Sequence, residues 1–319
     1  MVDNNHTARA APIAAVVLCF NEQTNIRGCL ESVKGWANIF VVDSGSSDNT
    51  VAICREYTDQ IHTHAYANHA DQWQWALDNL PIDAEWILAL DADFVVSTEL
   101  RQQIEHDLPK LASDVDGVYV RHRYVFGGGA IRFGGTKQFW LRLIRRGYAL
   151  PDLSDLVDFR FNVQRRTAQF SSAVIEYNRH DDDISTWIKK QDKFSLRLAV
   201  EEELRRADMI SWSGRPNLLG NPDQRFMWLR DAWLRLPLFI RPAIYFMYRY
   251  VLMLGFLDGR AGFLYHFLQG FWLRVTVDWK IMQLRALSLS AQELLTVKER
   301  MFTTRDGSVV TVTDHVRNQ

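Results

Sequence analysis

The stretch Trp86-Ile-Leu-Ala-Leu-Asp-Ala-Asp-Phe94 decides the predicted fold, because an apolar run of strand type leads directly into two aspartates. Asp91 and Asp93 are two residues apart, so they project from the same face of an extended chain. Burying carboxylates at the end of a strand costs free energy unless a positive charge or hydrogen bonds offset it. A divalent cation that also binds phosphate oxygens would supply such a charge. The alternative is that the aspartates cap a following helix, and this stretch alone leaves both interpretations open.

Strand and helix patterns alternate in the residues before this stretch. Continuous apolar runs at Ile13–Cys19 and Ile39–Val42 are typical of strands buried on both faces, and Ile61–His64 is a shorter candidate. Helical patterns separate them, which predicts an α/β fold with a mostly parallel sheet and right-handed crossovers. Such sheets bind ligands beyond the carboxyl ends of their strands. Three predicted strand ends carry polar residues: Asn21 and Glu22, Asp43 and Ser44, and Asp91 and Asp93.

Composition excludes several classes of protein. The chain has 319 residues, 47% hydrophobic and 24% charged, so it can bury a sizeable core. Its formal net charge of −1 gives no reason to expect nucleic acid as a partner. The three cysteines lack CxxC spacing, which favours buried thiols over a disulfide scaffold or a zinc site. The polar N-terminus has no apolar core of signal-peptide length, so we expect a cytoplasmic protein.

Breaker residues and charge predict the domain organisation. We expect a disordered leader over 1–11, an α/β domain over 12–206, a linker over 207–223, a helical region over 224–290 and a tail over 291–319. Within the α/β domain, further patterns predict strands at 117–124 and 139–144, a glycine-rich loop at 127–135, an acidic loop at 151–161 and a helix at 184–206.

The helical region is basic and aromatic. Between Asp223 and Arg285 it has nine Lys/Arg and four Asp/Glu, together with fifteen aromatic residues. This composition indicates a membrane surface or an anionic lipid-linked ligand. Arg241 and Arg249, with two nearby prolines, argue against a clean membrane span and favour amphipathic helices at the interface. The alternative is a helical subdomain whose aromatic residues pack in its own core.

The polar strand ends together suggest a site for a nucleoside diphosphate. Asp43 is suited to hydrogen bonding a ribose or base, and Asp91 and Asp93 are suited to a metal ion that bridges two phosphates. This arrangement fits sugar transfer from a nucleotide sugar, in which a further carboxylate accepts the proton of the acceptor hydroxyl.

At this point the chain resembles family-2 glycosyltransferases of the GT-A fold. The resemblance is strongest to the branch of bacterial lipopolysaccharide-core β-1,4-glucosyltransferases and exopolysaccharide enzymes. It covers roughly residues 12 to 285. The matching segments, in chain order, are Phe20-Asn-Glu22, Val41-Val-Asp-Ser-Gly-Ser-Ser-Asp48-Asn-Thr50, Trp75-Ala-Leu-Asp-Asn-Leu-Pro81, Leu90-Asp-Ala-Asp93, Gly134-Gly135, Leu141-Arg-Leu143, Trp187-Ile-Lys-Lys190, Leu254-Gly-Phe-Leu-Asp-Gly-Arg-Ala-Gly262 and Phe267-Leu-Gln-Gly-Phe-Trp272.

The resemblance implies a function and site residues. Glu22 and Asp43 would contact the nucleotide, and Asp91 and Asp93 would bind Mn²⁺ or Mg²⁺. The enzyme would be an inverting, metal-dependent hexosyltransferase. Its donor would be a nucleoside-diphosphate sugar, which we expect to be UDP-linked, and its acceptor a lipid-linked or phosphorylated glycan. It would be peripheral on the inner face of the cytoplasmic membrane.

The chain departs from the family pattern at two places. The branch has Asp-Ala-Asp-Glu where this chain has Phe94, and an Asp-Glu-His motif where this chain has Asp158-Phe159-Arg160. The family's expected base, a glutamate, is therefore absent. Asp158, Asp155 or Asp152 would have to act as the base, and we favour Asp158, although it could equally serve only to fix its loop.

Other interpretations stay open at this stage. Arg142 either contacts the donor diphosphate or belongs to a solvated basic face. Of two tryptophans on one predicted helix, we expect Trp75 in the core and Trp73 at the border of the sugar pocket. The missing Glu-His pair motivates a rival class, a non-catalytic protein that binds nucleotide sugar or scaffolds a glycan-assembly complex. A nucleotidyltransferase is disfavoured because no basic glycine-rich loop follows the first strand.

Overall fold

A nine-stranded sheet forms the centre of the molecule in the computed structural model, which describes residues 13–135, 138–152, 160–211, 214–290 and 292–297. Its strand order is β3-β2-β1-β4-β8-β6-β11-β5, with β7 paired to β6, and β9 and β10 form a separate pair. The strands are β1 (Ile13–Cys19), β2 (Asn38–Asp43), β3 (Ile61–Thr63), β4 (Trp86–Asp91), β5 (Phe94–Val96), β6 (Val115–Phe126), β7 (Gly129–Ile131), β8 (Gln138–Arg145), β9 (Ala149–Pro151), β10 (Phe161–Val163) and β11 (Arg166–Glu176).

Strand direction brings many carboxyl ends to one edge. β3, β2, β1 and β4 are parallel to one another. β8 is antiparallel to both β4 and β6, so β6 points the same way as β4, and β11 is parallel to β6. β5 and β7 run in the opposite direction. The predicted α/β class with a mostly parallel sheet is confirmed, with reversed strands in its second half.

Helices cover both faces of the sheet and build the C-terminal region, which is helical and aromatic as predicted. They are α1 (Ile26–Val33), α2 (Thr50–Cys54), α3 (His69–Asn79), α4 (Thr98–Asp107), α5 (Ile184–Arg206), α6 (Pro222–Leu234), α7 (Ile240–Met247), α8 (Gly259–Tyr265) and α9 (Leu273–Ala286). α5 begins where the sequence predicts because the Asp183 carboxylate accepts hydrogen bonds from the N–H groups of Ser185 and Thr186.

The two faces of the sheet have separate cores. Ala15 and Val17 of β1 pack into the core that contains α1 and α4, and Ala14 and Val16 pack into the core that contains α3. Alternate residues of a strand point to opposite faces, so a strand covered on both sides must be apolar throughout. This is why the continuous apolar runs were reliable predictors of central strands.

The prediction for the two tryptophans of α3 was wrong. Trp73 is fully buried against the sheet, on the same helix face as Ala76. Trp75 is only partly buried, and its ring stacks on His64 with 4.7 Å between centroids. The helix begins at His69, and the face that packs on the sheet could not be deduced from the tryptophans alone.

A third core joins α5 to the C-terminal helices. Leu198 and Val200 of α5 pack in one cluster with Val277 and Ile281 of α9. The predicted linker lies between α5 and α6, so the segments before and after it share this core. Residues 207–223 therefore connect two elements that share a core. Their assignment as a domain boundary stays a prediction.

The described part of the chain contains no single helix that is both long enough and apolar enough to cross a membrane. One pair, Ile240–Leu252 and Gly255–Ala286, meets the length and composition criteria together and is bent by 70°.

Candidate active site

Strand register places the predicted polar residues along one edge of the sheet. Asp43 is the partner of Cys19 between β2 and β1, and Asp91 is the partner of Leu18 between β4 and β1. Asn21 and Glu22 follow β1 at the same edge. The expectation that these side chains come together is therefore met by the topology.

The loop after β1 is locked to the loop after β2. Asn21 has φ of 52°, in the left-handed region that asparagine tolerates better than most residues. Its N–H donates to Ser46 Oγ at 2.9 Å, and its side-chain carbonyl accepts from the N–H of Ser47 at 2.8 Å. The Glu22 N–H donates to Thr50 Oγ1 at 2.7 Å. The two loops therefore form one rigid rim at the edge of the sheet.

Asp43 stabilises this rim through hydrogen bonds to the loop after β2. It is buried, and its carboxylate accepts hydrogen bonds from the N–H groups of Gly45 and Ser46, each at 3.0 Å, and from Ser46 Oγ. Gly45 has φ of 89°, which favours glycine at this turn. The neighbouring Ser44 hydroxyl accepts from the side chain of buried Gln72 at 3.0 Å. Asp43 and Ser44 are thus held in place before any ligand arrives.

The centre of the edge is a group of carboxylates. Burial, followed by the negative charges of Glu176, Asp91 and Glu22, raises the pKa of Asp93 well above its usual range. Burial also raises the pKa of Glu22, whose carboxylate accepts from the Asn25 side chain at 2.7 Å. Lys190 Nζ lies 3.4 Å from Asp181 Oδ1 and attracts Asp93 and Glu176. The carboxylates of this group therefore outnumber the positive charges beside them.

This donor set suits a hard divalent cation. Such a cation takes oxygen ligands, and in phosphate-transfer sites one or two carboxylates suffice because phosphate and water fill the other positions. Within the described residues, no three acidic, histidine or cysteine side chains converge as a complete metal cage. The chemistry of Asp91 and Asp93 therefore fits a metal ion that shares its ligands with a bound diphosphate.

Arg142 lies beside the first aspartate. It is buried, and its Nη2 is 3.5 Å from Asp91 Oδ2. Its guanidinium carbon lies 4.9 Å from the ring centre of Phe94 and 4.8 Å from that of Trp140. The alternative of a solvated basic face is therefore wrong for Arg142. Phe94, one of the two departures from the family pattern, offers its ring face to this cation.

Glu176 was not predicted from the sequence, because no strand was predicted over β11. Glu176 ends that strand, pairs in register with Phe94, and lies 2.9 Å from Nε2 of buried His122. The His122 ring stacks on Trp140 with 4.0 Å between centroids. A usable signal was present: Ala173-Val-Ile-Glu176 is an apolar run that ends in an acid, the same pattern that identified Asp91.

Asp158, the predicted base, lies in the segment 153–159, which is outside the described residues. Asp155 lies in the same segment. The residues that border this segment are described. Asp152 is buried, and its N–H donates to the carbonyl of Arg160 at 2.7 Å. Arg160 Nε lies 3.3 Å from Asp223 Oδ1, which also accepts from the Tyr119 hydroxyl through its other oxygen. The two bordering residues are therefore bonded to each other, and Arg160 is also linked to α6 through Asp223.

Replacing Glu176 by glutamine is expected to change how stability depends on pH. Burial raises the pKa of Glu176 from 4.5 to about 8. Between these values the folded state binds more protons than the unfolded chain, so the parent protein loses stability as the pH rises. The Glu176→Gln variant lacks this loss, and from about pH 5 to pH 8.5 it should gain roughly 2–4 kcal/mol relative to the parent. Urea unfolding at both pH values measures the difference.

Glu56→Gln is the matched control for this experiment. The Arg27 guanidinium, which hydrogen-bonds the Glu56 carboxylate, lowers the pKa of that exposed group. Its contribution is present above the unfolded pKa and is lost only in acid, so between pH 5 and pH 8.5 the control should show the same pH dependence as the parent. A Glu176→Gln variant whose pH dependence matched that of the parent would contradict the assignment.

Comparison with known proteins identifies the class of this domain. Residues 14–166 match the family model described as glycosyl transferase family 2. This segment is a family 2 glycosyltransferase domain, and the family expected from the sequence motifs is confirmed over these residues. The match contains the whole rim, Asp91, Asp93 and Arg142, and it ends at the start of β11.

Two relatives show how far the similarity extends. The lipopolysaccharide core biosynthesis glycosyltransferase LpsC of Rhizobium meliloti (strain 1021) is 32% identical over 151 residues, which are 46% of this chain and 55% of that protein. An uncharacterized glycosyltransferase of Rickettsia felis is 34% identical over 95 residues, which are 30% of this chain and 33% of that protein. The chain thus spans about half of the first relative and about a third of the second.

The chain also aligns with solved structures at low sequence identity. TarS 1–349 of S. aureus covers 87% of this chain and 92% of its own, with 12% identity and a TM-score of 0.41. Glucosyl-3-phosphoglycerate synthase of Mycobacterium tuberculosis, in complex with Mn²⁺, UDP and glucosyl-3-phosphoglycerate, covers 65% of this chain and 84% of its own, with 15% identity and a TM-score of 0.41.

Proposed function

We propose that this protein is an inverting glycosyltransferase that moves a hexose from a nucleoside-diphosphate sugar, UDP-linked by our inference, to a lipid-linked cell-envelope glycan. The observation that carries the proposal is the carboxylate group at the end of β4, inside a family 2 glycosyltransferase domain. The acidic side chains around Asp93 outnumber the nearby cations Lys190 and Arg142, and a divalent metal ion bound here would supply further positive charge.

The rim after β1 and β2 would bind the nucleotide. Asn21, Glu22, Asp43 and Ser44 line or brace it, and their hydrogen bonds hold it in one conformation. Phe20 is 55% exposed next to Asn21 and offers an aromatic face on which a base can stack. A rim that is rigid before binding loses little conformational freedom when the nucleotide arrives.

Asp91 and Asp93 would hold Mn²⁺ or Mg²⁺, which supplies positive charge to the departing diphosphate when it is bound. Arg142 holds Asp91 from the protein side and adds a second positive charge near the phosphates. Phe94 and Trp140 exclude water from that guanidinium, which strengthens its electrostatic effect. Glu176 and His122 complete the wall behind Asp93.

Asp158 is our proposed base, because it aligns with the acidic motif that performs this role in the family. It would accept the proton of the acceptor hydroxyl as that oxygen attacks the anomeric carbon and the diphosphate leaves from the opposite face. The sugar carbon is thereby inverted, and no sugar–enzyme bond is formed.

The C-terminal region supports our proposals for the acceptor and the cellular location. It presents apolar and basic side chains at the surface, and LpsC, a relative, is named for lipopolysaccharide core biosynthesis. We therefore place the protein on the inner face of the cytoplasmic membrane, where a lipid-linked or phosphorylated glycan acceptor is present.

A donor screen tests the proposed function. UDP-sugars with Mn²⁺ should raise the melting temperature more than either component alone, and the matching donor should be hydrolysed or transferred.

Replacing Asp158 by asparagine tests the proposed base. Asp158→Asn should lower the rate of transfer about 10²–10⁴-fold, the range for loss of a general base, and should leave donor binding intact. Tight UDP binding without turnover, across a panel of donors and acceptors, would instead favour the rival class, a non-catalytic nucleotide-sugar-binding or scaffolding protein.

A further inference from the structure

A contiguous apolar surface surrounds the bend between α7 and α8. We call residues 240–267 the apolar elbow. Leu252 is 72% exposed, Ile240 57%, and Met247 and Leu257 are each 52% exposed. Further exposed apolar or aromatic residues of the elbow are Ile244, Tyr248, Val251, Met253, Leu254, Phe256, Phe263, Leu264 and Phe267. Apolar patches of this extent on a folded protein mark an interaction surface.

The charged residues of the elbow are turned inward. Arg241 and Arg249 are buried, and the Arg249 Nε donates to the carbonyl of Gly134 at 2.8 Å. Asp258 accepts from the N–H groups of Arg132 and Phe133, each at 2.9 Å. In the sequence, Arg241 and Arg249 argued against a clean membrane span. Because both are buried, neither charge would meet the acyl chains if the elbow entered a leaflet. Arg260 is the one formally charged residue of the elbow that is exposed.

The shape of this surface favours a lipid bilayer over a protein as its partner. Residues 251–254 and 256–257 are all exposed, so apolar side chains surround the chain at the bend instead of forming one stripe along a helix. A protein partner covers a stripe or a face, whereas the acyl region of a bilayer can surround a bend. Arg260 and Arg132 are exposed near Asp258, at the border of the elbow, where they can reach anionic headgroups.

We propose that the apolar elbow inserts into one leaflet of an anionic phospholipid bilayer as a wedge, with Leu252 and Leu257 among the deepest residues. This mode of binding differs from the sequence-based expectation, in which amphipathic helices lie flat at the membrane interface. The insertion itself needs no catalytic activity, and only the identity of the membrane-bound acceptor rests on the proposed function.

The wedge is attached to the strand that carries Arg142. The glycine-rich loop before β8 docks on the elbow, because the N–H of Gly134 donates to the carbonyl of Met253 at 2.8 Å. Gly134 has φ of 73°, and a Cβ at this position would be 2.1 Å from the ring of His266. Only glycine fits this contact without rearrangement. An inserted elbow would therefore hold the loop before β8 at a set distance from the lipid surface.

Vesicle flotation of the full chain tests the wedge. The parent should float with vesicles of phosphatidylcholine and phosphatidylglycerol, and Leu252→Glu with Leu257→Glu should lower the bound fraction at least about tenfold, because two inserted leucines become charged. Leu218→Glu with Leu219→Glu is the matched control: Leu219 is 93% exposed outside the elbow, and this pair should float like the parent. Both double variants replace exposed residues, and equal melting temperatures would show that both are folded.

Two further measurements separate the alternatives. Arg132→Gln with Arg260→Gln should weaken binding to the anionic vesicles and leave the weaker binding to pure phosphatidylcholine unchanged. Donor hydrolysis in solution should be the same in the leucine variant and the parent, so a failure of the proposed activity would not affect the flotation result. A parent that does not float, or a leucine variant that floats equally, would overturn the wedge. A parent dimer in solution that the leucine variant abolishes, without flotation, would assign the elbow to self-association instead.

Discussion

Replacing Asp93 by asparagine is expected to reduce sugar transfer at least about 10²–10³-fold, the loss typical of removing one group that stabilises developing charge. The same change should raise the melting temperature of the ligand-free protein. Burial and the charges of Glu176, Asp91 and Glu22 raise the pKa of Asp93, so its ionised form is disfavoured in the folded state. Asparagine removes the charge and keeps the size of the side chain, and this opposite effect on activity and stability distinguishes a site residue from a structural one.

Asp83→Asn is the control for Asp93. Asp83 is exposed and precedes β4, at the opposite end of the strand that Asp93 follows. It should leave both transfer and melting temperature unchanged, since surface changes of this kind rarely exceed about 0.5 kcal/mol. Transfer rates with saturating donor and Mn²⁺, together with the thermal shift that Mn²⁺ and UDP produce, measure the effect. Full activity of Asp93→Asn, or loss of activity accompanied by a lower melting temperature, would contradict the metal assignment.

Replacing Arg241 by methionine is expected to destabilise the protein by roughly 3–5 kcal/mol, the usual cost of removing one partner from a buried ion pair. Arg241, Glu202 and Asp278 are all essentially inaccessible to solvent. Arg241 donates to Glu202 Oε2 at 2.8 Å and, through Nε, to Asp278 Oδ1 at 2.8 Å. Asp278 also accepts from the N–H of Phe239 at 2.7 Å. The network joins α5, α7 and α9, and methionine would leave two carboxylates buried together.

Arg285→Met is the control for Arg241. Arg285 of α9 pairs with Glu203 of α5 at 2.8 Å, but the Arg285 side chain is 41% exposed. Exposed pairs typically contribute up to about 1 kcal/mol, so this variant should be close to the parent. Urea unfolding measures both. The triple change Arg241→Met, Glu202→Gln and Asp278→Asn should recover much of the loss, because it removes the unpaired charges. Equal costs for the Arg241 and Arg285 variants would show that the buried network contributes little.

Much of the site could be predicted from local sequence. β1 and β4 carry uninterrupted apolar runs because helices cover both faces of the sheet, and both runs end in polar residues. Parallel direction then brings the strand ends to one edge, so Asn21, Asp43 and Asp91 could be placed together before any coordinates were known. The start of α5 was also predicted correctly at residue 184, where Asp183 caps the helix in the structure.

Other parts of the site depend on contacts between distant segments. β11 was missed although Glu176 ends a short apolar run, because its strand lies between β6 and β5 and has no repeated βα pattern to identify it. Phe94 looked like the loss of an acid, yet its ring packs against Arg142, which is far away in the chain. The rim residues were correctly chosen, but the hydrogen bonds that lock the two loops to each other join residues separated by at least 25 positions.

The sequence by itself determined the family 2 domain, the parallel half of the sheet and the carboxylates at the end of β4, because these depend on short apolar runs and on motifs of a few residues. Only the tertiary structure decided the surroundings of those carboxylates and the character of the C-terminal region. Arg241 and Arg249 look like surface cations in the sequence, and their burial depends on acceptors supplied by α5, α9 and the glycine-rich loop. Whether a charge faces water or the interior is set by its partners, and those partners are brought together by packing.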